Sequence, residues 1–209
     1  ARDINADLII AVTKSGHTAR RVSKFRPEQP IVAATPEEKT FQINFSDFES
    51  KITENTKAVI INSPNNPSGV VYSEKTVKAV CEVLKKKEAE YNHPIYLICD
   101  EPYRELVYGD VKVPYLTKYY NNTIVCYSYS KSLSLPGDRI GYILVPDEVE
   151  NFELIYKSVC GAGRSLGYVC APSMMQFVIR ECVGMTGDIS AYKMNRDILL
   201  EAFEECGFK

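Results

Sequence analysis

Six short apolar runs, spaced along the chain by helical or turn-forming stretches, constrain this fold more than any other feature. They are "ADLIIAVT" (6–13), "PIVAAT" (30–35), "KAVIIN" (57–62), "IYLICD" (95–100), "NTIVCYS" (122–128) and "RIGYILV" (139–145). Runs of this kind, rich in branched side chains and without polar alternation, read as strands buried on both faces. Between them, "ARRVSKFR" (19–26) reads as a short helix. "SDFESKI" (46–52) reads as another, with Ser46 as its N-cap and Glu49 closing a capping box. Residues 73–90 read as a long helix with Val77, Val80, Cys81 and Leu84 on one face. Residues 149–160, 172–184 and 188–206 are also helical in pattern, the last two separated by "GMTGD". Strands alternating with helices predict an α/β fold, a three-layer sandwich around a mostly parallel, doubly wound sheet.

Composition narrows the function classes. The 209 residues are 45 % hydrophobic, enough for a sizeable core, and the formal charge is −2. No basic stripe marks a nucleic-acid partner. No apolar run approaches the roughly 18 residues of a membrane span, and no signal peptide is evident. The seven cysteines are scattered without a CxxC, which predicts free thiols in a reducing compartment. His17 and His93 are far apart in sequence, so no metal is expected. Both ends read as cut. There is no initiator Met, and the final helix runs into "GFK", a lead-in to a further strand.

In doubly wound sheets, ligands gather at the carboxyl ends of the strands. Asn62 ends the third run, Asp100 and Tyr103 follow the fourth, and Ser128, Ser130 and Lys131 follow the fifth. Arg139 stands eight residues after Lys131. A carboxylate closing an apolar strand wants a cationic or hydrogen-bonding partner. Taken singly, Asn62 and Tyr103 read as turn caps, and Asp100 with Lys131 as a structural ion pair. Taken together they suit pyridoxal 5'-phosphate. A lysine forms a Schiff base with its aldehyde, a carboxylate keeps the pyridine nitrogen protonated, and hydroxyl and guanidinium groups hold the phosphate.

Three segments, "NSPNNPSG" (62–69), "CDEPY" (99–103) and "SYSKSLSLPGDRIG" (128–141), resemble the large domain of class I/II, fold-type I aminotransferases over residues 41–209. The resemblance implies Lys131 as the Schiff-base lysine and proton shuttle. It implies Asp100 on the pyridine nitrogen, Asn62 and Tyr103 on the 3'-oxygen, and Ser128 with Arg139 on the phosphate, Ser130 standing behind them. Residues 188–209 would then be the first helix of a small domain that continues past Lys209.

The first 40 residues resemble something else, the C-terminal regulatory domain of pyruvate kinase. "TKSGHTAR" (13–20) is similar to that family's effector phosphate loop, which implies phosphate or sulfate binding by Thr13, Lys14, Ser15, Gly16, His17 and Thr18. The catalytic barrel of that family is not represented. Joining the two resemblances at "EEKT–FQIN" implies an engineered chimera in three parts, residues 1–40, 41–187 and 188–209. Both families imply strand order 2-1-3-4-5-6, with strand 6 antiparallel and the first five strands flavodoxin-like. The resulting reading is a cytoplasmic scaffold that keeps much of a cofactor site with little or no transaminase activity. The alternatives are an active pyridoxal-phosphate aminotransferase and an effector-binding module acting through residues 13–18. An open sheet edge beyond the sixth strand predicts self-association.

Overall fold

The centre of the sheet is built by Thr56–Asn62 (β3), Tyr96–Asp100 (β4) and Thr123–Ser128 (β5). Leu8–Val12 (β1) and Ile31–Ala34 (β2) flank β3 on one side, and Gly141–Leu144 (β6) flanks β5 on the other. The computed structural model describes residues 8–12, 31–34 and 41–207, with backbone alone considered for the first two segments. The strands lie in the order β2-β1-β3-β4-β5-β6. All neighbours are parallel except β5 and β6, which run antiparallel.

Side-chain alternation along the strands divides the core into two layers. Val59, Ile61, Leu97, Cys99 and Val125 point to one face. They pack with Phe48 of Phe45–Lys51 (α1) and with Val77, Val80, Cys81 and Leu84 of Glu74–Tyr91 (α2). Ala58, Tyr96 and Ile124 point to the other face, against Val149 of the preceding turn and Ile155 of Phe152–Ser165 (α4). A four-residue helical turn, Tyr129–Ser132 (α3), directly follows β5. Ser173–Cys182 (α5) and Ile189–Glu205 (α6) complete the described helices. The alternating apolar runs therefore form the α/β sandwich that the sequence implies. The apolar stripe of residues 77, 80, 81 and 84 is the buried stripe of α2.

Local boundaries differ from the sequence reading for identifiable reasons. The cap of α1 is Asn44, not Ser46, because the Asn44 side chain accepts from Asp47 N at 3.2 Å and the helix begins at Phe45. The fifth strand stops at Ser128 because the Ser128 hydroxyl accepts from Ser130 N and turns the chain into α3. The reading of residues 19–26 as a helix falls outside the described residues. Among the described residues, no helix is long and apolar enough to cross a membrane.

Candidate functional site at the carboxyl end of the sheet

Parallel register places the site. Asn62 pairs with Asp100 between β3 and β4, and Asp100 pairs with Cys126 between β4 and β5. These three residues form one row across the sheet. Tyr103 lies in the turn after β4, Ser128 ends β5, and Lys131 follows on α3.

The Asn62 amide donates to the Asp100 carbonyl at 2.9 Å and to Asp100 Oδ2 at 3.3 Å. Its own Oδ1 accepts from Asn66 N at 2.7 Å. Asn62 is thus a buried brace between the carboxylate and the following turn. The turn is bound internally. Asn65 Oδ1 accepts from Ser68 Oγ at 2.7 Å, and Gly69 N donates to the Asn65 carbonyl at 2.8 Å. Gly69 sits at φ +71°, a backbone region that glycine enters without cost. Asn66 Nδ2 then donates to the Tyr103 hydroxyl at 2.9 Å, which leaves the phenolic proton available to an acceptor. Sequence reasoning read "NN" only as turn residues. Their link to Tyr103 crosses 37 positions and leaves no local signal.

Lys131 is exposed on α3, with its Nζ 5.8 Å from the centre of the Tyr103 ring. Ser128 and Ser130 are joined hydroxyl to hydroxyl at 2.8 Å, so both support the turn that carries the lysine. Arg139 has φ +52°, and its Nη1 donates to the Pro136 carbonyl at 3.1 Å. Ser128 pairs with Gly141 across β5 and β6, so Arg139 lies at the same end of the sheet, with its exposed side chain bound to its own loop. Gly141 is required there: a Cβ would stand 2.3 Å from the Tyr127 carbonyl oxygen.

Beneath this row, Glu101 is buried and paired with Arg104, whose Nε and Nη2 lie 2.8 and 2.6 Å from Oε2. Burial pushes the Glu101 carboxyl above its ordinary value, and the Arg104 charge opposes that rise. Burial, followed by the Asp100 and Glu101 charges, pushes the Cys126 thiol up to about 11. A cleft of about 380 Å³ opens beside Tyr103, lined by Asn66, Leu106, Tyr108 and Arg196 among others. Arg196, from α6, stacks on Tyr108 at 4.6 Å. Neither was singled out in the sequence. Residues 13–18 lie outside the described residues.

A primary amine, a braced carboxylate, a phenol and paired hydroxyls thus gather at the carboxyl end of the parallel strands of an α/β protein. The chain belongs to the aminotransferase class I and II family, whose profile matches residues 22–209. That match crosses residue 40, where the sequence reading placed a seam, and the pyruvate kinase resemblance of residues 1–40 has no counterpart among these findings. A crystal structure of an aminotransferase from Eubacterium rectale is 52 % identical, with a TM-score of 0.89, over 97 % of this chain and 51 % of that one. A putative aminotransferase of Bacillus subtilis is 30 % identical over 85 % of this chain and 45 % of its own length. A probable aspartate/prephenate aminotransferase of Aquifex aeolicus is 39 % identical over 57 % of this chain and 30 % of its own length. The chain thus spans about half or less of the length of these relatives. Pyridoxal phosphate is the cofactor of the family.

Proposed function

We propose that this chain carries the pyridoxal-phosphate half of an aminotransferase site, with Lys131 as the attachment residue. The observation that carries the reading is the Asn62–Asp100 brace in register beside the Lys131–Tyr103 pair. The donor set fits the group. The Asp100 carboxylate suits a protonated ring nitrogen, and its amide brace keeps it oriented. The free phenolic proton of Tyr103 suits a ring oxygen. Ser128 offers a hydroxyl to the phosphate. Arg139 would have to leave the Pro136 carbonyl to reach it. When bound, the cofactor supplies a conjugated ring that takes up electron density from the substrate α-carbon. Lys131 would be the amine that holds the aldehyde and the group that moves a proton at the substrate α-carbon.

These 209 residues on their own are expected to take up the cofactor and to transaminate poorly. Orienting the substrate is worth up to roughly 7–11 kcal/mol of a barrier, and such positioning is shared with the rest of an enzyme. The test is borohydride fixation of added pyridoxal phosphate followed by peptide mass mapping. Label on Lys131, abolished by Lys131→Ala, supports the reading. Equal labelling of the Lys131→Ala variant refutes it. Oxo-acid formation from an amino acid and 2-oxoglutarate that Lys131→Ala abolishes would overturn the expectation of weak activity.

The residues 13–18 phosphate loop and the chimeric origin remain readings of the sequence. Loss of phosphate-induced stabilisation in Thr18→Ala would support the loop, and an unchanged response would remove it. Self-association is proposed from the apolar surface of β6, α5 and α6.

A further inference from the structure

We infer that Tyr127 is a positioning residue, its hydroxyl tying the Tyr103 loop to the Lys131 turn through Glu105 and Ser132. The inference rests on the cofactor reading for its functional consequence. The contact itself stands on geometry.

Tyr127 Oη lies 2.8 Å from Glu105 Oε2 and 2.8 Å from Ser132 Oγ. A phenol has one proton. The carboxylate accepts it, so the serine hydroxyl supplies the proton of the second contact. Burial pushes the Tyr127 phenol above its ordinary range, so it remains a donor at neutral pH. Glu105 follows Tyr103 by two residues in the loop after β4, and Ser132 follows Lys131 directly. The chain Glu105–Tyr127–Ser132 therefore joins the two segments whose separation sets the Lys131 to Tyr103 approach.

The surroundings fix the link. Ser132 is 2 % exposed, and its carbonyl accepts from Gly187 N at 2.7 Å. The Tyr127 ring stacks on Tyr142 at 5.1 Å and meets Tyr129 edge-on at 5.2 Å. Those ring contacts hold the side chain in place without using its hydroxyl. The hydroxyl's two partners lie on the two loops that carry the site, so its removal separates packing from positioning.

The test uses Tyr127→Phe, which keeps the ring contacts, together with Glu105→Leu and Glu105→Gln, the latter retaining an acceptor. Hydrogen exchange of the amides of residues 103–106 and 129–134 reads the link directly. Tyr127→Phe and Glu105→Leu should speed exchange in both segments by about tenfold, as loss of a hydrogen bond to a charged acceptor implies, while Glu105→Gln stays near the parent. The pyridoxal phosphate concentration for half-maximal borohydride-fixed label on Lys131 should rise about tenfold in the first two variants and recover in Glu105→Gln. Unchanged exchange, or change in one segment only, overturns the link. Faster exchange in both with unchanged labelling overturns the positioning role. If the parent takes no label on Lys131, the cofactor reading fails and the exchange result alone decides the link.

Discussion

At the scale of single residues, burial decides what each polar group can do. Glu101 is 3 % exposed, and its Oε1 has no hydrogen-bond partner, so ionising it inside the protein costs more than in water. The folded state therefore holds this proton more tightly than the unfolded chain, despite Arg104. That contribution to stability is fully present below the ordinary value of 4.5 and is lost as pH rises through the higher folded value. Glu101→Gln cannot titrate. Urea midpoints of parent and variant, compared from about pH 4 to about pH 7, should show the parent losing ground as pH rises. A gap that widens the other way would show that Arg104 dominates. The thiols follow the same logic. Cys160, Cys170 and Cys206 are exposed, whereas burial raises Cys81 and Cys126 to about 11 and raises Cys99 well above its ordinary value. Alkylation at neutral pH, followed by peptide mapping, should mark the exposed three first. Reaction of Cys99 or Cys126 at equal rate would contradict the burial described. Asn62, Asp100, Tyr103 and Lys131 stood out in the sequence because each closes or follows an apolar run, and their gathering at one end of the sheet follows from the strand register. Glu105, Tyr127 and Arg196 were not, because their partners are distant in sequence and their residue types are ordinary in such positions.

At the scale of elements, periodicity revealed what is buried, and local hydrogen bonds decided where each element ends. The stripe Val77, Val80, Cys81 and Leu84 was readable because a helix repeats every 3.6 residues and its apolar face must meet the sheet. Leu84 is fully buried, so Leu84→Ala should cost about 2–5 kcal/mol in chemical denaturation. The start of α1 was misread because Ser46 and Asn44 are both good caps, and only the bond to Asp47 N distinguishes them. Asn44→Ala should cost about 0.5–2 kcal/mol, and Ser46→Ala much less, by the same measurement. Equal costs would return the cap to Ser46. The turn α3 was hidden for a related reason. "CYSYSKS" has the alternation of a strand, yet the Ser128 hydroxyl captures Ser130 N and the strand ends. The element that carries the proposed attachment lysine is therefore set by one side-chain-to-backbone bond, which no apolar pattern records.

At the scale of the whole molecule, the two sides of the sheet differ in how well they are covered. The face that α1 and α2 cover holds the larger core, whereas Tyr142, Ile143 and Leu144 of β6 are 46, 51 and 47 % exposed. Helix α6 has no buried residue, and Ile198, Leu199 and Leu200 stand more than half exposed, as do Met174 and Phe177 of α5. Exposed apolar residues of this kind, beside a strand edge that has no partner among the described residues, are where self-association is expected. The chain spans about half of the Eubacterium rectale aminotransferase to which it is similar. A second copy of the chain is the partner always present in a purified sample, and β6 offers it unpaired backbone groups along one edge. Sedimentation velocity across a hundredfold range of concentration should therefore show mass increasing with concentration. Ile143→Lys puts a charge on the edge strand, which discourages strand pairing, and should shift the association to higher concentration. Leu199→Glu does the same for the helical face and should act independently if the two surfaces are separate contacts. If only Ile143→Lys has an effect, the association runs through the sheet edge. If only Leu199→Glu does, it runs through the helices. A single monomer boundary for the parent at every concentration would mean that neither surface is sticky enough to pair.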